Sequence, residues 1–89
     1  MIEKTITVTN KMGLHARPSA RVVQTATRFK SEVFLIKGDM IINAKSMLGV
    51  IALAAECGTE LLVRAVGADE KEAVRALVQL FKKEFKDVY

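Results

Sequence analysis

The chain has 89 residues, 51% of them hydrophobic and 27% charged, with a net charge of +4. That length supports one small core, a single domain over residues 1–89, and that balance argues against a disordered chain. A single cysteine, Cys57, rules out an internal disulfide and cannot by itself build a structural zinc site, so it is read as a packed or capping-region thiol.

Ile2, Ile6 and Val8 alternate with Glu3, Thr5, Thr7 and Thr9, the pattern of a strand with one buried and one wet face. A turn-rich stretch, Thr9-Asn10-Lys11-Met12-Gly13, leads to a helix from about Ala16 to Phe29, with Val22, Val23, Ala26 and Phe29 on its apolar side and Arg21, Gln24 and Arg28 on the other. Two short apolar runs, Val33-Phe34-Leu35-Ile36 and Met40-Ile41-Ile42, are separated by Lys37-Gly38-Asp39 and predict an antiparallel hairpin. Ser46 then stands as the N-cap of a short apolar helix with Gly49 in its first turn, expected to end near Gly58.

Leu61 to Val66 predicts a fourth strand closed by Gly67. Asp69 with Glu72 resembles a capping box, and Val74, Leu77, Val78, Phe81 and Phe85 form the core stripe of a last helix. The order is β-α-β-β-α-β-α, an α+β sandwich of two layers, in which the pattern alone leaves the strand order open.

The longest apolar run, Val50 to Ala55, is far too short to span a bilayer, and Met1-Ile2-Glu3-Lys4-Thr5 lacks a charged leader followed by an apolar block. A cytoplasmic protein without membrane insertion is expected. Lys82, Lys83 and Lys86 gather at the end of the last helix, where they complement its dipole. The cations Arg17, Arg21, Arg28 and Lys30 lie in or just after the first helix and would attract an acidic protein partner.

The chemistry concentrates in Gly13-Leu14-His15-Ala16-Arg17-Pro18-Ser19, which holds the only histidine and the only proline. Pro18 marks a helix start, because first-turn amides have no carbonyl partner and a residue without an N–H loses nothing there. The free amides of about Ala16, Arg17 and Ser19 carry the positive end of the helix dipole and make an anion site, for which phosphate is the obvious ligand. Arg17 adds a planar fork suited to phosphate oxygens, and the neutral imidazole of His15 is a nucleophile near neutral pH.

This stretch closely resembles the phosphorylation-site signature of the HPr family, the histidine-containing phosphocarriers of the bacterial sugar phosphotransferase system. Lys45-Ser46-Met47-Leu48-Gly49-Val50 resembles that family's regulatory serine segment. The resemblance covers essentially the whole chain and implies an antiparallel four-stranded sheet in order 1-4-2-3 with three helices on one side. It also implies that His15 accepts a phosphoryl group through Nδ1, that Arg17 contacts that group, and that phosphate comes from enzyme I and passes to the IIA components of sugar permeases. No cofactor or metal is implied, and the protein is a carrier, not an independent enzyme.

For Ser46 the resemblance implies modification by an HPr kinase/phosphorylase, with the modified form binding a catabolite-control repressor. Met47, Leu48 and Arg21 are the expected partner-binding side chains, and a monomer is expected. Ala44 and Leu48 depart from the family's leucine and methionine, and Ala54-Ala55-Glu56-Cys57 replaces a stretch richer in glycine.

Two other readings are open to the sequence. A small basic nucleic-acid-binding domain would need exposed aromatics on its strands to stack bases, but Tyr89 is the sole tyrosine and there is no tryptophan. A purely regulatory or nitrogen-branch relative would share the fold; the presence of His15 argues against the purely regulatory one.

Overall fold

In the computed structural model, which describes residues 1–85, β1 (Ile2–Thr7) is followed by α1 (Ala16–Thr27), β2 (Glu32–Lys37), β3 (Met40–Asn43), α2 (Met47–Ala52), β4 (Glu60–Val66) and α3 (Glu70–Gln79). A π-helical turn, Leu80–Glu84, continues α3. The calls on Lys86 and Tyr89 lie outside the described residues.

The strands form one antiparallel sheet in the order β1-β4-β2-β3. Its pairing registers Ile6 with Leu61, Val33 with Ala65 and Leu35 with Val63, all of them buried. Alternation along each strand thus sends one set of side chains to a single face, where the helices cover them. Val22 and Ala26 of α1, Val50 of α2, and Ala73, Val74 and Leu77 of α3 complete the core. β2 and β3 are joined through Gly38 and Asp39, and Gly38 takes a φ of +58° that suits a residue without Cβ.

The π turn answers a geometric problem in the last helix. Residues spaced by four drift about 40° per step around an α-helix, so Leu77, Phe81 and Phe85 would leave one face. Widening the turn keeps Leu80, Phe81 and Phe85 all buried, with the rings of Phe81 and Phe85 edge to face at 5.2 Å.

Four local expectations are corrected. α2 ends at Ala52, not near Gly58; the left-handed residue after it is Ala54, with φ 49°, whose amide donates to Ile51. Gly58 instead turns the chain into β4, its amide donating to the carbonyl of Val8 at 2.7 Å. Of the two readings of Cys57, packed or capping-region thiol, the packed one is overturned: it is exposed in that turn, with Sγ 3.7 Å from the Thr9 carbonyl.

The capping box at α3 is also replaced. Asp69 occupies the N-cap but its carboxylate does not cap; it accepts hydrogen bonds from the Lys30 and Ser31 amides, each at 2.9 Å, and from the Ser31 hydroxyl. Glu70, not Glu72, makes the reciprocal bond, accepting from the Gly67 amide at 3.0 Å. Asp69 thereby ties the start of α3 to the approach to β2, and α1 stops at Thr27 ahead of that knot, leaving Phe29 beyond the helix but still packed on the core.

Candidate functional site

His15 is the N-cap of α1, in extended conformation at φ −81° and ψ −171°, and its side chain is not used to cap the helix. The imidazole is half-buried, while Ala16 and Arg17 beside it are exposed. Pro18 falls in the first turn and is buried, where its missing N–H costs nothing. The Ser19 amide donates to the His15 carbonyl at 3.0 Å and so belongs to the helix rather than to the anion site. That narrows the expected set of amides to Ala16 and Arg17.

The loop ahead of His15 is held from several directions. Asn10, fully buried, donates from Nδ2 to the Gly13 carbonyl, which also accepts from the His15 amide. The Ser19 hydroxyl donates to the Leu14 carbonyl at 3.1 Å, and the Leu14 amide donates to Ala55 O at 2.8 Å. Every peptide group from Gly13 to His15 is therefore fixed, which holds steady the backbone that carries the imidazole.

The side-chain roles of Asn10 and Ser19 do not stand out in the sequence, where Asn10 is one of several turn residues and Ser19 enters only through its amide. Their burial is visible only in the fold.

Gly13 is required on two counts. Its φ is +70°, and a Cβ there would lie 2.5 Å from Ala55 O and 2.9 Å from Glu56 Cα. The segment that departs from a glycine-richer pattern is thus the wall against which the His15 loop packs.

α2 runs alongside α1 in the opposite sense. Its far end reaches the His15 loop through Ala55, whereas Lys45, just before its start, donates from Nζ to the Phe29 carbonyl at 2.7 Å, beyond the C-terminal end of α1. Ser46 therefore sits on the side of the C-terminal end of α1, away from His15. Ser46 is the N-cap of α2, its Oγ accepting from the Gly49 amide at 3.1 Å. Met47 is half-buried, while Leu48 is 83% exposed and Ile51 45% exposed, so an apolar strip runs along α2 from Ser46 toward the His15 loop.

Arg21 is engaged with Glu84, at 3.0 Å, and with Gln24. An exposed pair of this kind is worth little to stability. Among the described residues no cluster of His, Cys, Asp and Glu is arranged to hold a metal ion, and no helix is long and apolar enough to cross a membrane.

Comparison with known proteins agrees with this arrangement. The family model described as "PTS HPr component phosphorylation site" matches residues 2–83. The phosphocarrier protein HPr of Treponema pallidum is 45% identical over 87 residues, covering 98% of this chain and 99% of its own. A crystal structure of HPr from Thermoanaerobacter tengcongensis superimposes with a TM-score of 0.94 at 43% identity, covering 100% of both chains.

A crystal structure of Bacillus subtilis Crh, described as a catabolite-repression protein in a swapped dimer, gives a TM-score of 0.76 at 44% identity over 94% of this chain and 97% of that one. The sheet order 1-4-2-3 expected from the signature is the order observed. By its sequence, its fold and its relatives, the chain belongs to the HPr family of phosphocarriers of the phosphotransferase system.

Proposed function

We propose that this single domain carries a phosphoryl group on His15, accepting it from phosphorylated enzyme I and passing it to IIA components of sugar permeases in the cytoplasm. The observation that supports this reading best is a half-buried imidazole at the start of α1, held in place through its backbone and flanked by the exposed Arg17.

In the forward step the lone pair of Nδ1 attacks phosphorus while the bond from phosphorus to enzyme I breaks, its electron pair returning to enzyme I. The phosphoryl oxygens meet the guanidinium of Arg17 and the amides of Ala16 and Arg17 at the positive end of α1. In the second step a IIA nucleophile displaces Nδ1 in the same in-line manner. A carrier must hold its cargo loosely enough to release it, which favours helix amides and one arginine over a closed pocket. The partner completes the stabilisation, so the chain acts as a carrier and not as a catalyst by itself.

Ser46 is the regulatory residue in this reading, modified by an HPr kinase/phosphorylase. A phosphate there adds about two negative charges at the edge of the strip formed by Met47, Leu48 and Ile51. That strip and Arg21 receive the partners, among them a catabolite-control repressor for the modified form. The chain works as a monomer, although Crh has been seen as a swapped dimer.

The test is incubation with phosphoenolpyruvate and enzyme I. An acid-labile phosphate that disappears in His15→Ala is expected; absence of labelling by any enzyme I overturns the reading.

A further inference from the structure

Two hollows meet along the outer edge of β1. The first, of about 340 Å³, has a floor of Ile2, Val74 and Val78. Its rim carries Lys4 on the strand side and Lys71, Arg75 and Lys82 on the helix side. The second, of about 310 Å³, runs on between Thr5, Thr7 and Thr9 of the strand side and Phe81 of the π turn, and shares Lys82 with the first. Together they make a trough along the whole of β1.

Among the described residues β1 is an edge strand, with β4 on one side and no strand on the other. Such an edge presents a row of backbone N–H and C=O groups open to a further strand. Six residues of β1 extend over about 20 Å, and Lys71 to Lys82 span about 16 Å along the helix, so the open edge and the row of cations are matched in length.

The cations of the trough, Lys4, Lys71, Arg75 and Lys82, are in no direct ion pair among the described residues. Of the neighbouring carboxylates, Glu3 pairs with Arg64, Glu70 with the Met1 amino group and the Gly67 amide, and Glu84 with Arg21, while Glu72, exposed on the first turn of α3, is in no ion pair among the described residues. We infer that the trough between β1 and α3 is a docking site for an extended acidic segment of another protein, which pairs its backbone with the open edge of β1 and sets its carboxylates against Lys4, Lys71, Arg75 and Lys82.

A second copy of this chain would bring its own Lys4, Lys71, Arg75 and Lys82 toward the same row of cations and offer it no acidic strand. Nucleic acid fits poorly as well, since the floor is aliphatic and Phe81 is buried, leaving no ring on which a base could stack. The trough is also separate from the phosphoryl face. α3 covers the β1–β4 side of the sheet and α2 packs against β3, with α1 touching both helices, so the trough and the α2 strip lie at opposite margins of the helical layer.

The test is an NMR titration of isotope-labelled protein with an acetylated hexapeptide of alternating glutamate and threonine. Saturable shifts confined to β1, α3 and the π turn are expected, with the dissociation constant raised about tenfold or more by added salt and by the double substitution Arg75→Glu, Lys82→Glu. Lys71→Glu, at another exposed position, should weaken binding in the same direction, and methylating alternate peptide nitrogens should abolish it. Any of four results overturns the proposal: no shifts at about 5 millimolar peptide, shifts centred on His15, equal binding of the methylated peptide, or tighter binding of oligouridylate or phosphatidylglycerol vesicles.

Discussion

Gly13 and Ala55 stand so close that the carbonyl oxygen of Ala55 occupies the place where a Cβ on residue 13 would have to go, 2.5 Å away. The same carbonyl accepts the Leu14 amide, so the loop that presents His15 is built on the chain that leaves α2. Gly13→Ala should therefore lower stability by about 2 kcal/mol or more, through clash and left-handed strain together. It should also slow phosphorylation of His15. Urea denaturation together with a phosphorylation time course checks both, and an unchanged midpoint would falsify the packing argument.

Ala54 presents the opposite case. It is a residue with a Cβ held at φ 49°, one position past the cap of α2. Left-handed strain of about 1–2 kcal/mol is offset in part by the greater freedom that glycine brings to the unfolded chain. Ala54→Gly is expected to gain up to about 1 kcal/mol, seen as a thermal midpoint higher by up to about 8 °C. A lower midpoint would count against the strain.

Acid should loosen the knot at the start of α3. The Ser31 hydroxyl, then the amides of Lys30 and Ser31, hold the Asp69 carboxyl at about 2, below its ordinary 3.8. Because its folded value is depressed, Asp69 contributes stability above about pH 4, and that contribution is lost as the pH falls through about 2. Glu70 is lowered too, first by the Gly67 amide and then by the Met1 amino group, and acts in the same direction. Asp69→Asn should be less stable than the parent at pH 7 and lose less on going to about pH 2.5. Equal losses in the two proteins would remove Asp69 from the account.

Ser46→Asp is expected to keep the fold, since aspartate is itself a good N-cap residue, and to slow phosphoryl transfer to His15. Ser46 and His15 stand at opposite ends of α1, so the charge acts on docking. The loss should fall on KM for enzyme I with kcat little changed. A fall confined to kcat would mean the charge reaches the reacting atoms instead.

Leu48→Ala probes the same strip without charge. Leu48 is 83% exposed, so its removal should alter stability by no more than about 0.5 kcal/mol. KM for enzyme I should rise severalfold. Unaltered kinetics would place the partner's footprint elsewhere.

How far the molecule could be read from its residues depended on the range of the forces involved. The alternation of Ile2, Ile6 and Val8 and the stripe from Val74 to Phe85 announced their elements because each is a local pattern facing one core. Pro18 and Ser46 marked helix starts for equally local reasons. The strand order needed the family signature, since nothing within a strand names its neighbour.

Asp69 misled because its carboxylate prefers donors 38 and 39 residues away to those of its own helix. Gly58 misled because a glycine near a helix end invites a capping role that Ala54 takes at some cost. At the site, His15 and Arg17 were legible as chemistry, while Asn10 and Ser19, which hold the loop still, were not.

The opposed directions of α1 and α2 set a ruler into the surface. On the proposed reading, His15 and its phosphoryl group lie toward one end, and Ser46 and its modification toward the other. A metabolite can touch only one mark. A body of domain size, burying about 800 Å² on its own side, covers both in a single encounter. On the proposed reading, the spacing would sort readers by size: a small molecule would meet one state at a time, and a whole protein the combination.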